Sequence, residues 1–152
     1  MSKSRTTAAV VIIDSDGNIL GCHATGRLKN TGFDFPKGLV DEGESDVQAA
    51  LRELFEETGL TLTEEQLVDA GVYPHNKEKD IHLFIHKTDN MPDVTKLCCT
   101  SFFSYIDKST GEEKTLPECN AFEIISPEER EQKFNRVLHN KFKIIDEFNQ
   151  KL

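Results

Sequence analysis

Glu44, Glu53, Glu56 and Glu57 crowd one short stretch of this chain, with Arg52 beside Glu53 and Gly38 upstream. Carboxylates at this density can hold a hard divalent cation, and a cation so held can work on a phosphate. The segment is predicted to be helical. Ser45 followed by Gln48 is a capping box, so a helix starts there, and Gly59 is a natural left-handed stop. Val47, Ala50, Leu51, Leu54 and Thr58 form its apolar stripe. At about 100° per residue, Glu53, Glu56 and Glu57 fall within about 100° of one another, and their mean direction lies roughly 115° from that stripe. One side of the helix packs on a core while the neighbouring side presents three carboxylates.

That placement is unfavourable without a counterion. Like charges at these spacings repel by about 0.2–0.5 kcal/mol per pair, and anions near a helix C-terminus oppose the helix dipole. Mg²⁺ or Mn²⁺ removes the conflict, because both prefer oxygen ligands and complete their shells with water and substrate phosphate. A solvated acidic face stays open on the acids alone. Arg52, which can fix one carboxylate, and Gly38, which opens a loop able to bring a backbone carbonyl to a metal, favour the cation site.

The stretch GLVDEGESDVQAALRELFEETGL, Gly38 to Leu60, resembles the signature of the Nudix hydrolase family: Gly, five residues, Glu, seven residues, Arg-Glu, an aliphatic, any residue, Glu-Glu, any residue, Gly, an aliphatic. Every fixed position matches. The resemblance implies that Glu53, Glu56 and Glu57 bind Mg²⁺ or Mn²⁺ with the Gly38 carbonyl, that Arg52 orients Glu53, and that Glu44 braces the loop against the helix. It implies hydrolysis of the diphosphate bond in a nucleoside diphosphate linked to another moiety. The general base is left open between Glu53 and an acid outside the stretch. Glu118 is the candidate there, with Glu112 and Glu113 behind it, and surface acids of a hairpin are the competing reading for each.

For substrate contacts the candidates are Lys37 and Arg27 toward phosphate, and Phe33 and Tyr73 toward a base. Phe33 and Phe35 share one strand face, which suits a core position equally well. Phe-Pro-Lys-Gly before the stretch is similar to that of members acting on dinucleoside polyphosphates. The markers of ADP-ribose and diadenosine enzymes are both unmet: Pro74 stands one place early with His75 next, and Tyr73 comes before Lys77 and Glu78. In general look the chain is also similar to small Nudix members of T-even-like phages. The expected substrate is an adenosine-containing diphosphate: ADP-ribose, a dinucleoside polyphosphate, a flavin or nicotinamide dinucleotide, or a nucleotide-capped RNA 5′ end. A (d)NTP pyrophosphohydrolase and a non-catalytic nucleotide-binding module are the alternatives.

The rest of the chain must position these groups. Its 152 residues suit one domain, 1–152. No apolar run is long enough to span a bilayer, and no signal-peptide pattern precedes the first strand, so no membrane partner and a cytoplasmic location are expected. A net charge of −9 argues against general DNA binding. Cys22, Cys98, Cys99 and Cys119 lack metal-site spacing and read as free thiols, and His82 and His86 as ordinary imidazoles. The state is monomer or homodimer. Strands are expected over Thr6 to Asp14 and Asn18 to Thr25 as a hairpin, Phe33 to Phe35, Val68 to Tyr73, Ile81 to Lys87, Cys99 to Ile106 and Ala121 to Ile125. Lys37 to Glu44 reads as a loop, and a second helical region runs from Ser126 nearly to the end. The fold class is α+β, a mixed sheet between helices in an α/β/α sandwich.

Overall fold

The nine residues Arg5–Ile13 form strand β1, and seven of them are buried. An unbroken run of small and β-branched apolar residues suits a strand covered on both faces. In the computed structural model, which describes residues 5–26 and 32–152, successive side chains of β1 enter two different cores. Ala9, Val11 and Ile13 point to one, and Ala8, Val10 and Ile12 to the other. β1 pairs in parallel along its whole length with β6 (Lys79–Lys87), which pairs antiparallel with β5 (Val68–Pro74). The second core is closed by helix α1 (Asp46–Thr58) through Ala49, Ala50 and Leu54. The first is closed by the C-terminal segment through Phe134, Leu138, Phe142 and Ile145. The result is the expected mixed sheet between helical layers.

β1 and β2 (Ile19–Ala24) do not form a plain hairpin. They pair only at Ile13 and Ile19, next to a turn in which Asp14 Oδ1 accepts from the N–H groups of Asp16 and Asn18. Beyond that point they part, and residues 33–39 fill the gap. β3 (Phe33–Asp34) pairs with β2, and β4 (Lys37–Leu39) pairs with β1, setting Gly38 opposite Ala8. β3 thus ends just before Pro36, as expected, and at Pro36 the chain turns from one partner to the other. Pro36 has no N–H to leave unpaired, and its carbonyl accepts from Val10 N at 3.1 Å. The first residues of the expected loop 37–44 are for this reason strand. The far edge of β2 takes β9 (Cys119–Ile125), while β7 (Phe102–Ile106) and β8 (Glu113–Pro117) make a separate two-stranded ribbon.

α1 begins and ends as its sequence dictates. Ser45 and Gln48 exchange both capping hydrogen bonds, and Gly59 sits at φ +81° with its N–H on Phe55 O. His82 bridges Asp46 at 2.8 Å and Asp69 at 2.7 Å, tying the start of α1 to β5. The second helical region is interrupted. After α2 (Arg130–Lys133) the chain straightens at Phe134 and Asn135, passes through a 3₁₀ segment at Arg136–Lys141, and resumes as α3 (Phe142–Lys151). Phe134 breaks the helix because its ring goes to the core (1% exposed), and Asn135 N bonds Phe33 O at 2.9 Å.

Phe134→Ala should lower the free energy of unfolding by about 3–5 kcal/mol, read by urea titration. A loss under about 1 kcal/mol would show that this ring does not anchor the break.

Candidate metal centre

α1 rests on β1 through Ala50 and Leu54, and helical periodicity then turns Glu53 and Glu57 under β4. Glu53 is only 9% exposed and Glu57 5%. Of the three acids expected on the side next to the apolar stripe, Glu53 and Glu57 are thus buried, and Glu56 stays partly exposed. Gly38 explains the burial of Glu53. A Cβ on Gly38 would lie 2.1 Å from the Glu53 carboxylate, so β4 reaches this depth only because that side chain is absent.

Arg52 joins the loop before α1 to the helix. Its guanidinium donates to both oxygens of Glu44, from Nε at 2.8 Å and Nη2 at 3.0 Å, and to the Leu39 carbonyl at 3.1 Å. Nη1 donates to Glu53 Oε1 at 2.8 Å and to Glu56 Oε2 at 3.3 Å. The bidentate pair with Arg52 holds the Glu44 carboxyl below its ordinary range. The same contacts hold the guanidinium charged.

Glu118, between β8 and β9, is brought from the far part of the chain. Its N–H donates to Ser101 O at 2.8 Å, and its carbonyl accepts from Thr25 N at 3.0 Å. One carboxylate oxygen each of Glu53, Glu57 and Glu118 lies within 4.8 Å of the others. Glu56 is not in that group. Glu112 and Glu113 are exposed and lie toward the ribbon's tip.

Burial is the main force raising the proton affinity of both Glu53 and Glu57; the Glu56 charge adds to it at Glu53, and Cys119 and then Glu53 add to it at Glu57. A donor set made of oxygens, two of them buried and a third within reach, fits a hard divalent cation.

The residues around the cluster were less visible in the sequence. Cys119 is buried and donates its thiol proton to Glu57 Oε1 at 3.4 Å, and Cys22 lies against it. All the cysteines are free. Lys37 is ion-paired with Asp34 at 3.1 Å. Burial works against the Lys37 ammonium, but Asp34 outweighs it and holds the pKa above its usual value. A cleft of about 140 Å³ is lined by Cys22, Asp34, Phe35, Lys37, Glu57 and Glu118. Lys37 and Asp34 also line a polar pocket of about 350 Å³ with Thr7, His75, Asn76, Lys79, Asn135 and Val137. Only the pairing of β9 with β2 could have announced Cys119, and only that of β3 with β2 could have announced Asp34.

Two substrate candidates lie elsewhere. The Phe33 ring is 4% exposed in the first core and meets His23 edge-on at 5.1 Å, so it has no free face for a base. The Tyr73 hydroxyl donates to Ala70 O and its ring covers the bend at Gly71 (φ +100°), which commits it to β5. Arg27 lies outside the described residues.

The NUDIX domain family model matches residues 3–147. The chain belongs to the Nudix family. Its curated relatives include the RNA pyrophosphohydrolase of Photobacterium profundum, 40% identical over 57 residues, which is 38% of this chain and 31% of that protein. The match thus spans about a third of the relative's length. Among solved structures, an Ap4A hydrolase binary complex from C. elegans aligns over 97% of this chain and 99% of its own with a TM-score of 0.64 and 20% identity. The NUDIX domain of Shewanella oneidensis NrtR, complexed with ADP ribose, aligns over 97% and 90% with a TM-score of 0.68 and 11% identity. At these identities the two structures show the Nudix fold alone. Among the described residues no helix is long and apolar enough to cross a membrane.

Two outcomes follow for the Nudix cluster. Glu53 and Glu57 bind protons more tightly folded than unfolded, so stability of the metal-free chain should fall as pH rises above the ordinary carboxylate range. A divalent cation taken up by the deprotonated pair would oppose that loss. Thermal melts in a chelator should show Tm falling from about pH 5 to about pH 8, a larger rise in Tm with Mg²⁺ at the upper pH, and a flatter slope in Glu57→Gln. Gly38→Ala should keep the far-UV circular dichroism and weaken Mg²⁺ binding by about tenfold or more. Unchanged affinity by calorimetry would contradict the close approach of β4 to Glu53.

Proposed function

We propose that this chain is a Mg²⁺- or Mn²⁺-dependent pyrophosphohydrolase that cuts the diphosphate of an adenosine-containing nucleotide. The observation that carries the reading is the Glu53–Glu57–Glu118 cluster, two of its carboxylates buried, beside the cleft lined by Lys37. A bound divalent cation supplies Lewis-acid polarisation of the phosphoryl group. Glu53, held by Arg52, and Glu57 hold that cation, with Glu56 and the Gly38 carbonyl at its margin. The exposed Glu118 accepts the proton of the attacking water. Lys37 neutralises substrate phosphate from the opposite wall of the cleft.

The remainder of the substrate extends past Lys37 into the polar pocket. There Asn76, Asn135 and His75 offer the donors and acceptors that a base or ribose needs, and Lys79 offers a second charge. The names of two relatives support an RNA end within this range: RNA pyrophosphohydrolase of Photobacterium profundum and mRNA decapping complex subunit 2 of Schizosaccharomyces pombe. A triphosphate or nucleotide-capped RNA 5′ end presents the same bond, with the chain beyond it left in solvent.

A product assay with Mg²⁺ or Mn²⁺ over ADP-ribose, diadenosine polyphosphates, FAD, NAD, capped RNA and dNTPs tests the reading. Turnover should favour the adenosine diphosphates or the RNA end. Turnover confined to dNTPs would overturn the substrate class, and binding without turnover would make the chain a nucleotide-binding module. Glu118→Gln should lower kcat by about 10²–10⁴ with KM little changed. An unaltered kcat would remove Glu118 from that role.

A further inference from the structure

The β7–β8 ribbon is hard to account for as a free-standing element. A two-stranded hairpin is marginal in water and needs further strands or a covered face. Here both faces carry uncovered apolar groups: Phe102 (57% exposed) and Ile106 (59%) on one, Phe103 (38%) and Tyr105 (41%) on the other. Among the described residues no other strand pairs with either edge.

The two edges differ in kind. Backbone bonds from Glu118 N to Ser101 O and from Asp107 N to Glu112 O set the phase of the ladder. Odd-numbered residues of β7 therefore turn their backbone groups inward, and Phe102, Ser104 and Ile106 turn theirs outward. On β8 the outward positions are Glu113, Thr115 and Pro117. That edge is guarded by a charge and by a proline without an N–H, the usual protections against adding a strand. The β7 edge, FFSYI, has neither charge nor proline, although the whole chain carries −9.

We propose that β7 is a dimerisation edge, on which a second copy of this chain adds its own β7 antiparallel about a two-fold axis at Ser104. In this register Ser104 faces Ser104 of the second copy, and each Phe102 faces Ile106. All these residues have outward-turned backbone groups, so the ladder continues with its phase intact. Each Phe103 then stands across from Tyr105, giving aromatic cross-strand pairs. A contact that is its own complement is what a two-fold interface requires. The antiparallel arrangement also sends the charged tips, with Asp107, Lys108 and Glu112, to opposite ends of the joined sheet. The four apolar side chains expose roughly 400 Å² per copy. That is about half of the ~800 Å² each partner gives to a standard interface, and the strand edges and flanking residues add to it. Joining the ribbons also steadies the base of the hairpin, from which Glu118 projects.

Sedimentation velocity on the full chain, over about a hundredfold range of concentration, should show a concentration-dependent dimer. Ser104→Lys and Ser104→Glu each set like charges opposite one another at the axis and should sediment as monomers with unchanged far-UV circular dichroism. An equimolar mixture of the two should recover the dimer. Wild-type chain that stays monomeric throughout would overturn the proposal and leave the ribbon to a different partner. A dimer undiminished in Ser104→Lys, or a mixture that remains monomeric, would overturn it as well.

Discussion

Glu53 and Glu57 lie one helical turn apart, both buried, and two carboxylates in that position repel each other while each resists losing its water. Much of the surrounding structure answers this conflict. Arg52 neutralises the outer side of Glu53, and because its fork is also filled by Glu44 and the Leu39 carbonyl, the same guanidinium anchors the loop to the helix. Removing one partner from such a network leaves other charges uncompensated, so its members are coupled more strongly than their separations suggest. What remains after Arg52 is negative charge with a third carboxylate beside it, and a divalent cation is the simplest complement.

The helix was legible because its determinants are local. Ser45, Gln48 and Gly59 act within one turn of themselves, and the Gly38–Leu60 spacing identifies the family without a fold. The two-faced sheet was legible from the unbroken apolar run of β1. What was not legible depended on partners distant in sequence. Pro36 reads as a stop and does follow the end of β3, yet the strand that resumes at Lys37 depends on β1 and β2 diverging. Phe134 sits in a helical pattern, yet the core beside Phe33 takes its ring and straightens the backbone. Phe33 itself reads equally as core and as platform, and only its neighbours decide. Glu118 was one of several acids in a hairpin-like region, distinguished only by β9 lying against β2.

The parting of β1 and β2 links fold to site. Had they stayed paired, Lys37 would have no gap through which to serve the carboxylate cleft and the polar pocket together. By filling that gap with residues 33–39, the chain places Gly38 over Glu53 and Lys37 at the junction of the two spaces. Adjacent residues of β4 point to opposite faces of the sheet. One short strand thus sets both the depth of the cluster and the charge at the pocket's mouth.

An acidic chain that handles a polyanion needs local cations more than a favourable total. At physiological salt the Debye length is about 8 Å, so most of the −9 charge is screened from a substrate at the cleft. Lys37 lines the cleft and the polar pocket, and Lys79 lines the pocket. The remote acids still act at longer distance and lower salt, where they slow the approach of long polyanions more than that of small ones. If the proposed function holds, selection between a dinucleotide and an RNA end would rest on contacts close to Lys37, and ionic strength would alter the rate of encounter more than the preference itself.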